Sequence, residues 1–114
     1  MANMQLLVLV LNRYEKLDKL LTALDKSGIK GATVINSTGM ARLLNTESLP
    51  ILGSIRTFLN PEREDNRTIF IVACEEKIKR SIEVIHDVLG SLDRPDTGVI
   101  FVIPTLYTEG ISNT

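Results

Sequence analysis

Met40–Asn66 reads Met-Ala-Arg-Leu-Leu-Asn-Thr-Glu-Ser-Leu-Pro-Ile-Leu-Gly-Ser-Ile-Arg-Thr-Phe-Leu-Asn-Pro-Glu-Arg-Glu-Asp-Asn, and its interpretation decides the fold. No helical or strand period runs through it. Both flanks, in contrast, carry clear patterns. Read as one long connection, the segment leaves six regular elements, three on each side. Connections of this length are rare inside a compact domain and are usually functional or disordered.

The N-terminal flank opens with Met4–Leu11, Met-Gln-Leu-Leu-Val-Leu-Val-Leu. A short apolar run without alternation predicts a strand buried on both faces. Asn12, with Glu15 three residues on, suggests a capped helix start. Leu17, Leu20, Leu21 and Leu24 then form an apolar helical stripe opposite Glu15, Lys16, Asp18, Lys19, Asp25 and Lys26. Gly28 is a helix stop. Thr33, Val34 and Ile35 begin a second strand, and Ser37-Thr38-Gly39 is loop chemistry.

On the far flank, Arg67–Cys74 holds Thr-Ile-Phe-Ile-Val-Ala, a strand apolar on both faces. Glu75 and Glu76 favour a helix start there. Ile78, Ile82, Ile85 and Leu89 follow at helical spacing, up to Gly90. Gly98 opens the last strand, Val-Ile-Phe-Val-Ile, which Pro104 stops. The order is strand, helix, strand, strand, helix, strand. It predicts an α+β, ferredoxin-like βαββαβ sandwich: a four-stranded antiparallel sheet with two helices on one face. Three strands are apolar on both faces, yet two helices cover only one. Either copies of the chain associate through their sheets, or the long segment folds back over the open face.

The 114 residues predict a single domain spanning 1–114, with the insertion at 40–66. A net charge of -1 gives no bulk attraction to nucleic acid or to a membrane surface. One cysteine, Cys74, excludes a disulfide within the chain and fits a reducing cytoplasm. No segment has the length of a membrane span. No catalytic constellation is legible: His86, the one histidine, lies off the apolar helix stripe with no nucleophile beside it. Cys74 ends a buried strand without a histidine partner. No cluster has metal-ligand spacing. Glu62, Glu64 and Asp65 mix with Arg63 and Arg67 as a solvated charged turn. The chain is therefore expected not to be an enzyme.

Two turns remain as candidate ligand sites. Ser37-Thr38-Gly39-Met40-Ala41-Arg42 leaves the second strand, and Arg94-Pro95-Asp96-Thr97-Gly98 leads into the last. Small residues let backbone N–H groups approach an anion, and Arg42 or Arg94 can pair with it. Ordinary turns use the same residues.

Gly28-Ile-Lys-Gly31-Ala-Thr33-Val, followed by Gly39-x-Ala41-Arg42, resembles the Gly-x-x-Gly-x-Thr-Val…Gly-x-Gly-Arg stretch of the PII nitrogen-regulatory family. Asp96-Thr97-Gly98-Val-Ile-Phe-Val-Ile-Pro104 resembles its Gly-Asp-Gly-Lys-Ile-Phe-Val-x-Pro stretch. The resemblance runs from about Met4 to Pro104, apart from the long segment. It implies a homotrimer with its sheets facing inward. It implies that 40–66 corresponds to the family's T-loop, which docks onto protein targets. It also implies an adenine nucleotide (ATP, ADP or AMP) in the cleft between subunits. Thr33, Thr38, Gly39, Met40, Ala41 and Arg42 would lie on one side of that cleft, and Asp96, Thr97 and Gly98 on the other. Ala41 stands where the family has its second glycine, Val99 stands where it has lysine, and no arginine follows Pro104. The segment has no tyrosine to accept a uridylyl group. A smaller or less charged ligand than ATP, such as AMP, ADP or a cyclic dinucleotide, suits these departures. The alternatives are a ligand-free interaction module and a metal-related trimer of the CutA type. Leu49, Ile51, Leu52, Ile55, Phe58 and Leu59 suggest that part of the segment orders as a short helix.

Overall fold

Strand β1 (Met4–Leu11) lies inside a four-stranded antiparallel sheet. The computed structural model describes residues 3–12, 14–40, 66–93 and 97–111. A 3-10 turn (Tyr14–Lys16) leads into α1 (Leu17–Lys26), then come β2 (Ala32–Ser37), β3 (Asn66–Cys74), α2 (Glu75–Leu89) and β4 (Gly98–Pro104). The strand order is β2-β3-β1-β4. This is the βαββαβ arrangement expected from the six-element pattern.

Register explains the two-sided apolarity of the strands. Ala32, Ile71, Leu7 and Val102 form one row across the sheet, and Val34, Ile69, Leu9 and Ile100 form the next. These rows face the helices. Leu7, Leu9, Leu11, Ile69, Ile71 and Ala73 pack into one core with Leu20 and Leu24 of α1 and Ile78, Ile85 and Leu89 of α2. Each leucine or isoleucine among them contributes about 1.5–3 kcal/mol on burial.

The alternate residues make the opposite face. Its rows are Val72–Leu6–Ile103, Thr33–Phe70–Val8–Phe101 and Ile35–Thr68–Val10–Val99. Val8 is buried between its two phenylalanine neighbours. The rest of the face stays open: Val99 is 59% exposed, Phe101 47% and Ile103 45%. Among the described residues no element packs over this side, and the expectation that the long segment folds back over it falls on 41–65, outside them.

The helix ends differ in part from expectation. Asn12 does not cap α1. Its backbone N–H instead donates to the Thr97 carbonyl at 3.1 Å, which ties the end of β1 to the start of β4. The residue before α1 is Lys16, which makes no side-chain capping bond, because the 3-10 turn separates Asn12 from the helix. Gly28 and Gly90 do end their helices, at φ of 90° and 79°. The second strand is longer than Thr33–Ile35, because pairing with β3 extends it from Ala32 to Ser37. The expected short helix within 49–59 lies outside the described residues.

Candidate functional site

The two glycine-containing turns arise where edge strands end. Ser37 is the last residue of β2, and it lies opposite Asn66, the first of β3. Its hydroxyl bonds the Thr68 hydroxyl at 2.7 Å. Neighbouring Thr38 and Gly39 are half-buried, and a Cβ added to Gly39 would come within 3.2 Å of the Asn66 amide nitrogen. The two ends of the 40–66 segment are therefore held together by a closed stem. Met40 begins it, largely exposed. Ala41 and Arg42 lie outside the described residues.

The second turn enters β4. Arg94, Pro95 and Asp96 lie outside the described residues. Thr97 is buried and its carbonyl accepts from Asn12. Gly98 has a steric reason to be glycine: a Cβ there would lie 2.7 Å from the Val10 carbonyl oxygen, well inside contact distance. The close approach of β4 to β1 requires a bare backbone at this point.

The row Asn36–Arg67–Leu11–Gly98 crosses the sheet. Both turns thus lie at the same end of the sheet, but on opposite edges. Three interstrand spacings separate them, about 14 Å. One copy does not bring Thr38–Gly39 and Thr97–Gly98 into contact. Thr33 sits elsewhere, exposed on the open face beside Phe70 and about 14 Å along β2 from Ser37. Arg67, at the same end as both turns, donates from its guanidinium to the Asn66 carbonyl at 3.3 Å. By sequence alone Arg67 reads as part of a charged turn. Neither its place beside the stem nor the Ser37–Thr68 bond has a local signal, because both depend on cross-strand register.

The remaining polar groups are conventional. His86 is exposed on α2, and Cys74 is half-buried at the end of β3. Among the described residues no three metal-binding side chains converge. Beyond β4, the Tyr107 hydroxyl bonds the Glu109 carboxylate. That bond holds the phenol's pKa above its usual value of 10.0.

The sequence model of the nitrogen regulatory protein P-II matches residues 4–113. The chain belongs to the P-II family. Solved structures agree on the fold. A functionally unknown protein from Pediococcus pentosaceus superposes with a TM-score of 0.65 at 16% identity, covering 97% of this chain and all of that one. Arabidopsis thaliana PII bound to citrate gives 0.63 at 17% identity, covering 91% of this chain and 78% of its own. A DUF3240 family protein from Shewanella baltica gives 0.63 at 15% identity, covering 98% and 100%. No curated protein sequence matches the chain. The P-II match extends past Pro104 to residue 113 and spans the long segment.

Proposed function

We propose that this P-II family chain is the subunit of a homotrimeric regulator that binds a small effector between neighbouring copies and acts on a protein target through residues 40–66. One observation carries the reading: the two candidate turns occupy the same end of the sheet on opposite edges. A cyclic assembly apposes unlike edges of successive copies, so one cleft receives a turn from each. The uncovered apolar face supplies the drive to assemble. The 1–114 chain acts as one domain, with 40–66 as its effector arm. The arm is anchored at Ser37 and Asn66, so a ligand at Thr38–Arg42 contacts its base directly. Differential contacts with ordered and released states of the arm then couple occupancy to the target.

An adenine nucleotide is the first candidate ligand, and the citrate bound by the Arabidopsis protein adds small carboxylates to the test. A role in nitrogen regulation, exerted on a protein target and without catalysis of its own, is part of this reading, and the description of the matching family, nitrogen regulatory protein P-II, supports it. The cytoplasm is the proposed location; among the described residues no helix is long and apolar enough to cross a membrane.

A thermal-shift and calorimetric screen against ATP, ADP, AMP, cyclic dinucleotides and citrate tests the reading. A ligand at 100 times its Kd adds about 2.7 kcal/mol of stability. Stabilisation by one of these at micromolar to millimolar concentration supports the effector role. No heat and no shift with any of them leaves a ligand-free interaction module. Heat on titration with copper or zinc would instead favour the metal-related reading.

A further inference from the structure

β2 is the strand that the core holds least. None of its six residues is buried, and only Ala32, the smallest of its apolar side chains, packs at the margin of the core. β4, the other edge strand, packs both Ile100 and Val102 there. A tight turn sets the register of a short hairpin, but β2 and β3 are joined through 38–65, so their register rests on the ladder itself. The link from α1 is also permissive: it holds Gly28 and Gly31, and nothing lies within 4 Å of a Cβ built on either.

The pairs along that ladder are mismatched on the open face. Thr33 stands opposite Phe70, and Ile35 opposite Thr68. A slip of one residue exchanges the faces of a strand, but a slip of two keeps them. Moving β2 so that Val34 stands opposite Ile71 sets Ile35 opposite Phe70 and Ser37 opposite Thr68. Apolar then meets aromatic and hydroxyl meets hydroxyl, pairings that stabilise a sheet. The Ser37 hydroxyl already reaches diagonally to that of Thr68, at 2.7 Å. Gly39, with no side chain, comes to lie opposite Asn66. The offsetting cost is that Asn36 replaces Val34 beside Ile69, a position where Val34 is 37% exposed and an amide keeps its water. The opposite slip has no such match, since it sets Ile35 opposite Asn66 and Lys30 opposite Ile71.

We infer that β2 has two registers on β3, the one observed and one displaced by two residues, about 7 Å along the ladder. The slip draws Thr38 and Gly39 into the sheet, so that the ladder ends next to Met40 instead of at Ser37. It therefore sets how far from the sheet edge the 40–66 segment begins, and it does not depend on the effector reading. Disulfide trapping in a Cys74→Ser background tests it. Ile35→Cys is combined in turn with Thr68→Cys, Phe70→Cys and Asn66→Cys, which report the observed register, the displaced one and the opposite slip. Diagonal neighbours stand about 7–8 Å apart, whereas a disulfide needs Cβ atoms about 3.5–4.5 Å apart. In a glutathione buffer, with intramolecular closure read by mass spectrometry, the displaced pair is expected to close at least about tenfold more readily than the opposite pair. Equal closure of those two pairs overturns the second register. Where a cysteine variant fails to fold, the unmodified chain decides. Backbone Overhauser contacts from residue 35 to both 68 and 70 support the slip, and contacts to 68 alone overturn it.

Discussion

At the scale of single residues, Gly98 is the position where steric demand is clearest. Any side chain would press on the Val10 carbonyl across the β1–β4 ladder. Gly98→Ala is expected to destabilise the fold by about 1–3 kcal/mol through forced separation of the strands. Chemical denaturation measures this, and a change below a few tenths of a kcal/mol would show that the ladder shifts freely. Gly28 and Gly110 differ, because nothing lies within 4 Å of a Cβ built on either, and only their positive φ favours glycine. Tyr107 makes a second residue-scale prediction. Its hydroxyl donates to Glu109, so ionising the phenol loses that bond and sets two negative charges side by side. Spectroscopic titration is expected to show one tyrosine ionising above the usual 10.0, and Glu109→Ala is expected to return it toward that value. An unchanged titration in the variant would remove the pairing. At Arg42 the expectation is functional: Arg42→Ala weakens effector binding and uncouples it from protection of 40–66 in hydrogen exchange. If both are unchanged, Arg42 has no coupling role.

At the scale of elements, α1 and α2 differ in how firmly sequence prescribes them. The α2 stripe falls where the spacing puts it, with Ile78, Ile85 and Leu89 buried and Ile82 packed at the margin. Val84 and Ser81 are buried too; Ser81 is tolerated because its hydroxyl donates to the Lys77 carbonyl at 2.8 Å one turn back. The start of α1 is less regular, with a 3-10 turn in place of a side-chain cap. The short α1 is therefore held at its start by packing rather than by a side-chain cap, while its last carbonyls are met by the Ser27, Gly28 and Ile29 N–H groups. Leu24 is almost fully buried, and Leu24→Ala is expected to cost about 2–5 kcal/mol, measured by denaturant unfolding. A cost under about 1 kcal/mol would mean that α1 contributes little to the core.

At the scale of the whole molecule, the proposed function makes assembly and ligand binding depend on each other, since a site divided between opposite sheet edges would form only in an oligomer. Phe101 sits in the central row of the open face, so Phe101→Asp would bury an unpaired charge at the assembled surface. The variant is expected to sediment as a folded monomer and to lose nucleotide or carboxylate binding in the same step. A monomeric variant that still binds with unchanged affinity would show that the site lies within one subunit.

The sequence by itself determined the element order, the helical stripes and the two-sided apolarity of β1, β3 and β4. These depend on local periodicity, which the chain carries residue by residue. It also set Ser37–Arg42 at the exit of β2 and Arg94–Gly98 at the entry to β4, since glycine and small polar residues mark strand ends locally; of these, Ala41, Arg42 and Arg94–Asp96 lie outside the described residues. Only the tertiary structure decided the strand order β2-β3-β1-β4, and with it which alternate residues meet the helices and which stay open. It also moved Asn12 from a helix cap to a backbone tie onto Thr97, and it set the two turns on opposite edges. Each of these depends on register between strands far apart in the chain. Register is a collective choice made by packing one whole face of the sheet against the helices.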